Sequence, residues 1–304
     1  MVRGHARPVG DALTPTELHL HLDGSLRPST VAELAREAKR SVPEDLLFRA
    51  GMGLAEALSK FAFTLSLLQS AAAVRRVASE LCEDAPGALE IRFAPQLHGP
   101  ALEETVDAAL EGAAGRAGLI LCVLYGEPPS MAERLVDLAA ARPGVVGIDL
   151  AGGPAPAHRF GMRDYAAAFT RALSLGIGRT VHAAEGRSAD EIRVAIEVLH
   201  AQRIGHGTTL LSKPDVVDLV LERGVTLEAC PTSNVHTGVI PELSAHPLPK
   251  WLELGVRVAV CADNSLLSDV TTAQEYERAS KIPGMTDARM QQVAAHAHAA
   301  RFTR

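Results

Sequence analysis

"ELHLHLDGSL", residues 17–26, sets two histidines two positions apart among leucines. Side chains alternate faces along a β-strand, so residues i and i+2 share one face. His19 and His21 then stand side by side, while Leu18 and Leu20 pack the other way. Two adjacent imidazoles make half of a metal site. They also fit an ordinary alternating strand, so the other ligands must come from elsewhere in the chain.

Seven further stretches have strand character: "LEIRFA" (89–94), "LILCVL" (119–124), "VVGIDL" (145–150), "RTVHAA" (179–184), "RIGH" (203–206), "VTLEA" (225–229) and "VRVAVCA" (256–262). Helical periodicity fills most of the intervals, as in "ALEETVDAALEGAAGRAG" and "DEIRVAIEVLHAQ". Pro28 suits a first helical turn, and Gly224 closes "PDVVDLVLERG" as a helix stop. Eight strands alternating with helices predict an α/β fold, a (β/α)8 TIM-type barrel, with a doubly wound open sheet as the alternative. Neither an internal repeat nor a low-complexity linker divides the chain, so residues 1–304 are expected to form a single domain. The interval 23–88 is too long for one helix and is expected to carry extra helices over one end of the barrel. Its most apolar part, "LAEALSKFAFTLSLLQ" (54–69), reads as a core helix or as a lid over the C-terminal mouth.

Composition narrows the function. The chain has 304 residues, 47% hydrophobic and 22% charged, which is ordinary for a folded protein. A net charge of −6 without a basic block argues against a nucleic-acid partner. The four cysteines are far apart with no CxxC, so disulfides are not expected and a cytoplasmic location is. No apolar run reaches the roughly 18 residues of a membrane span. "MVRGHARPVGDALTP" has no apolar core of a secretory signal and reads as a short arm. Small polar substrates remain open, and oligomeric state has no signal in the sequence.

In a barrel, chemistry sits at the C-terminal ends of the strands. The first strand ends in His19 and His21, with Asp23 following; the fourth leads into Asp149 and Gly152. The fifth ends at His182 with Glu185 three residues on, the sixth at His206, and the eighth leads into Asp263-Asn264. Each has an ordinary reading by itself; Asp263-Asn264, for example, could cap a helix. In this order at successive strand ends they describe a metal hydrolase. Three histidines and one carboxylate leave a zinc ion one open coordination position for water. Zinc lowers the pKa of such a water to roughly 7, and a glutamate beside the ion suits a general acid or base. His5, His98, His158, His200, His236, His246, His296 and His298 lack this placement and read as structural or solvated.

The segments "LHLHLDGSLRPST", "SKFAF", "LEIRFAPQLH", "GIDLAGG", "VHAAEG", "RIGHGT", "LEACPTSN" and "CADNS" resemble, as an ordered set, the adenosine deaminase family of the amidohydrolase superfamily. The resemblance implies a barrel with one zinc ion per chain, held by His19, His21, His182 and Asp263. It implies that Glu185 donates a proton to purine N1, that His206 is a water-orienting base or an electrostatic partner, and that Asp263 and His206 are positioned to take up the water proton. Asp23 would contact ribose hydroxyls, the Gly152 amide purine N3, and Phe61 with its helix would cover the pocket. Relatives with two metals carry a lysine at the end of strand four, and "VVGIDLAGG" has none. The implied reaction is hydrolytic deamination of adenosine and 2′-deoxyadenosine to the 6-oxo nucleoside and ammonia.

One position departs from the pattern. Many relatives carry a second aspartate where this chain has Asn264. An asparagine amide donates at any pH, so Asn264 is compatible with purine N7, an acceptor. Relatives acting on free adenine tend to carry glutamate at the place of Asp23, whose shorter side chain leaves room for a sugar. A modified or 5′-substituted adenosine, or adenine itself, is the alternative substrate. A nucleoside-binding protein on the same scaffold is the non-enzyme alternative.

Overall fold

The computed structural model describes residues 14–303; of the expected N-terminal arm, residues 1–15, all but Thr14 and Pro15 lie outside the described residues, and so does His5. The strands are β1 (Glu17–His21), β2 (Leu89–Phe93), β3 (Ala117–Leu124), β4 (Val145–Ala151), β5 (Gly178–Ala183), β6 (Arg203–His206), β7 (Thr226–Ala229) and β8 (Arg257–Val260). They form one sheet in chain order, with neighbouring strands paired in parallel. The ring closes where Leu20 bridges Asp263. Asp263 N donates to His19 O at 2.9 Å, and His21 N donates to Asp263 O at 2.8 Å. The expected (β/α)8 barrel is the observed architecture, and the open-sheet alternative falls away. β8 is shorter than the sequence suggests, because Cys261 and Ala262 already lead into the closing bridge.

Helices α1 (Pro28–Glu37), α2 (Leu54–Leu67) and α3 (Ala71–Asp84) fill the interval between β1 and β2. Pro28 opens α1, and Ser70 caps α3 by accepting from Ala73 N. α2 buries Phe63 and Leu67 in the core and turns Leu54, Leu58, Phe61 and Leu65 toward a cavity at the barrel mouth. Among the described residues no single helix is long and apolar enough to cross a membrane.

Barrels of this kind are usually filled by branched apolar side chains. Here the interior holds charges: Arg92, Asp149 and Glu228 are 0% exposed and Arg203 is 1% exposed. Such groups are tolerated only when paired. The chain's C-terminal end meets one of them. The Phe302 ring stacks 3.7 Å from the Arg203 guanidinium, and Phe302 N donates to Glu90 Oε1 at 2.6 Å. Arg203 Nη1 donates to Ala300 O at 3.0 Å. Glycine at the start of β5 makes room for the ring, since a Cβ on Gly178 would lie 2.2 Å from Phe302 Cγ.

Gly178→Ala must therefore displace Phe302 and uncover Arg203. Overpacking of this kind costs about 1–3 kcal/mol, read as a lowered midpoint in thermal unfolding. An unchanged midpoint would mean that the ring is not seated there.

Candidate active site

A cavity of about 320 Å³ opens at the C-terminal ends of the strands, the size of a small-molecule site. His21, Asp23, His182, Glu185, His206 and Asp263 face it, with His19 fully buried against them. Three residues at the strand ends adopt left-handed backbone: Ala184 (φ 57°), His206 (φ 66°) and Asp263 (φ 64°). Non-glycine residues hold such angles only where their surroundings enforce them, commonly at functional sites. The angles re-aim the chain as it leaves β5, β6 and β8.

Four candidate ligand atoms converge. His21 Nε2 lies 3.3 Å from His182 Nε2. Asp263 Oδ1 lies 3.6 Å from His19 Nε2 and 3.5 Å from His21 Nε2. Ligand atoms about 2.0–2.1 Å from a tetrahedral ion stand about 3.3–3.4 Å apart, so the spacing fits one metal ion. Orientation fits too. His19 Nδ1 lies 2.7 Å from Glu228 Oε2, and His182 Nδ1 lies 3.2 Å from Asp149 Oδ1. A carboxylate only accepts, so each Nδ1 carries the proton and each Nε2 lone pair turns inward. His19 Nε2 is buried without a hydrogen-bond partner, a costly state for a polar atom unless a ligand takes its lone pair.

The electrostatics point the same way. Burial first, and then Arg92, hold the His19 imidazole well below its usual pKa. Burial and His182 do the same to His21. Both are thus neutral, as metal ligation requires. His182 runs the other way: burial lowers its pKa, but Asp149 outweighs burial and raises it. Arg92 donates from Nη1 to Asp149 Oδ2 and from Nη2 to Glu228 Oε2, each at 2.9 Å. For Asp149, burial alone would raise the pKa, but His182 and Arg92 outweigh it and hold the carboxyl well below the usual range. Arg203 pairs with Glu228 Oε1 at 2.8 Å and Glu90 Oε2 at 2.6 Å.

Around this centre lie the other residues singled out from the sequence. Glu185 is buried, and Thr237 Oγ1 donates to its Oε1 at 3.0 Å; its Oε2 lies 3.9 Å from His206 Nε2. Burial raises the Glu185 pKa, offset only in part by His182 and Thr237. Asp23 is pushed up to about 7, chiefly by burial, and its Oδ1 has no partner. Asn264 lines the cavity with Oδ1 also unpartnered. A Cβ on Gly24 would lie 2.1 Å from that oxygen, so glycine is needed there. Phe61 meets the His21 ring edge-on at 6.3 Å between centroids. Gly152, which follows β4, lines the cavity at φ +76°. The structure thus brings all ten sequence-identified residues into or beside one cavity.

Sequence reasoning missed Arg92 and Glu228, assigned Asp149 no task, and passed over Thr237 and Asn234. His246, read as structural or solvated, is buried, and its Nε2 lies 3.3 Å from Asn234 Oδ1. His158, read the same way, lines the cavity. A signal existed for the charged residues. "LEIRF" places Glu90 and Arg92 at alternate positions of an otherwise apolar strand, which aims them at one face, and "TLEA" sets a lone Glu228 in another strand.

A family model described as "Adenosine deaminase" matches residues 15–303. The adenosine deaminase of Clostridium acetobutylicum is 36% identical over 290 residues, covering 87% of this chain and 85% of that protein. The crystal structure of adenine deaminase from Arthrobacter aurescens is similar with a TM-score of 0.85 at 26% identity, over 96% of this chain and 95% of that one. Arabidopsis ADAL, in a structure complexed with IMP, is similar with a TM-score of 0.85 at 25% identity, over 96% and 92% of the two chains.

Because Asp149 orients His182, Asp149→Asn should weaken divalent-metal binding by about 10–100-fold. Competition with a chromogenic chelator measures this, with circular dichroism to check the fold. Unchanged affinity in a folded variant would remove His182 from the metal site.

Proposed function

The chain belongs to the adenosine deaminase family, and on that premise we propose that its substrates are adenosine and 2′-deoxyadenosine, converted with one zinc ion to the 6-oxo nucleoside and ammonia. Hydrolytic deamination of a small purine comes with the family; the sugar and the metal are the proposal. The observation that carries the sugar is Asp23, a short buried carboxylate with an unpartnered oxygen in the cavity wall. A pair of ribose hydroxyls would supply its missing donors. Among the described residues the cavity is lined by no lysine or arginine, which disfavours a 5′-phosphate. The outer wall carries Leu54, Leu58, Leu65 and Leu97, which supports a 5′-substituted adenosine with an apolar group as a second reading.

His19, His21, His182 and Asp263 would hold the ion. Bound there, zinc supplies a Lewis acid and a water acidic enough to act near neutral pH. The chain's own residues do the rest. Adenine C6 is a poor electrophile while its ring is aromatic. Glu185 donates its proton to N1, which gives the C6–N1 bond iminium character. Burial raises its pKa, which favours the protonated form that this step needs. Water adds to C6 between His206 and Asp263, which orient it, with Asp263 placed to take its proton. The Gly152 amide donates to N3, Asn264 donates to N7, and Phe61 shields the ring from solvent.

Glu185→Gln cannot protonate N1, yet it keeps every proposed ligand. Metal content should stay stoichiometric while kcat falls on the order of 10²–10⁴-fold. In the native protein Glu185 must be protonated to act, so kcat/KM is full at low pH on this limb and falls as pH rises through the raised value. An active Glu185→Gln protein would assign the acid elsewhere. Ammonia release from adenosine, 2′-deoxyadenosine, adenine, AMP and 5′-methylthioadenosine ranks the substrates. A preference for adenine would overturn the Asp23 reading, and a preference for AMP would overturn the argument from a lining without lysine or arginine. Adenosine should also outpace its 7-deaza analogue, and equal rates would remove Asn264 from N7.

A further inference from the structure

A backbone N–H can only donate, and one such donor sets the direction of a buried hydrogen-bond chain behind His206. Leu248 N lies 3.2 Å from His246 Nδ1, so Nδ1 accepts. The His246 ring is buried, and burial holds its pKa down to about 3. The ring is neutral, and its one proton sits on Nε2. That nitrogen lies 3.3 Å from Asn234 Oδ1 and donates to it. The other arm of the same amide, Nδ2, lies 3.1 Å from His206 Nδ1. An amide nitrogen also only donates, so His206 Nδ1 accepts. Neutral His206 therefore carries its proton on Nε2, the nitrogen that faces Glu185 Oε2 and the cavity.

We propose that Asn234 and His246 are positioning residues that fix the tautomer of His206, holding its one proton on Nε2 toward the oxygen attacking C6. The inference deepens the deaminase reading above and rests on it. The alternative state, with a proton on His206 Nδ1, needs the Asn234 amide reversed. Reversal sets its Nδ2 against the Nε2–H of His246, two buried donors facing each other, which is unfavourable.

The proton inventory then closes without His206. Glu185 gives a proton to N1, the water oxygen bonds to C6, and the water proton goes to Asp263. Asp263 passes it to the exocyclic nitrogen, which leaves as ammonia when the C6–N bond breaks. The remaining hydroxyl proton returns to Glu185, leaving C6=O and N1–H. Through these steps His206 donates one hydrogen bond to an oxygen that gains negative charge. A preorganised donor in that position strengthens as the charge develops.

The test is a long-range ¹H–¹⁵N spectrum of the metal-loaded protein labelled at histidine, with His206 assigned by its loss in His206→Gln. The expected result is a pyrrole-type Nε2 and a pyridine-type Nδ1. Asn234→Asp keeps the shape of the amide but accepts on both arms. It should place a proton on His206 Nδ1 and lower kcat on the order of 100-fold, with KM little changed. His246→Leu should lower kcat in the same direction, and His246→Gln, which keeps a donor for Asn234, should recover most of that loss. A wild-type His206 protonated on Nδ1 would overturn the proposal, as would an Asn234→Asp protein with a shifted tautomer and unchanged kcat. If Asn234→Asp does not fold, the wild-type spectrum alone decides. The spectrum needs no substrate, so it still reads the tautomer if no purine tested is deaminated.

Discussion

One guanidinium, that of Arg92, holds the centre together. It is fully buried and touches both carboxylates that orient the candidate metal ligands, Asp149 behind His182 and Glu228 behind His19. It also donates to Leu18 O at 2.6 Å, which ties β2 to the strand carrying His19 and His21. Removing one partner from a buried ionic set costs about 3–5 kcal/mol, because the remaining charge is stranded. The same network sets chemistry. Arg92 and His182 keep Asp149 ionised, an ionised Asp149 fixes the proton on His182 Nδ1, and that leaves Nε2 free to bind. A barrel filled with branched aliphatics could be as stable, but its histidines would have no defined tautomer.

Closure of the barrel and assembly of the site are one event. Asp263 supplies the backbone groups that join β8 to β1 and a carboxylate oxygen facing His19 and His21. Its left-handed backbone, which costs a non-glycine residue roughly 1–2 kcal/mol, lets one residue do both. His206 spends a similar angle to turn its ring toward the cavity. Geometry at the mouth is therefore coupled to the integrity of the sheet. At the far end Phe302 covers Arg203, whose partner Glu228 also holds His19, so a continuous ionic path links the C-terminal segment to the mouth.

The eight strands and the order of the candidate ligands were legible because both are local. Alternation marks a strand, and a histidine or aspartate at its end needs no partner to be noticed. Arg92, Glu228 and Asn234 were not, because their meaning lies in pairs. Arg92 and Glu228 are 136 positions apart, and Asn234 and His206 are 28 apart, and one sequence does not reveal which buried charge meets which. His246 looked inert for the same reason: a histidine two residues before a backbone donor carries no signal until Asn234 is placed beside it. The positive φ of Ala184, His206 and Asp263 was also invisible, since none is glycine.

Two buried carboxylates share this pocket and, in the proposed reaction, must do opposite things. Asp263 has to be ionised, and Glu185 has to hold a proton. Burial raises both, so desolvation alone cannot separate them. A divalent cation can, because it acts most strongly on the carboxylate it touches. Asp263 Oδ1 stands among the imidazole Nε2 atoms, whereas Glu185 turns one oxygen to the Thr237 hydroxyl and the other toward His206. A cation among the imidazoles would pull Asp263 down and leave Glu185 governed by burial. Environments that drive two neighbouring acids apart assign the acid and the base, and here the separation depends on the histidines gathered at the ends of β1 and β5.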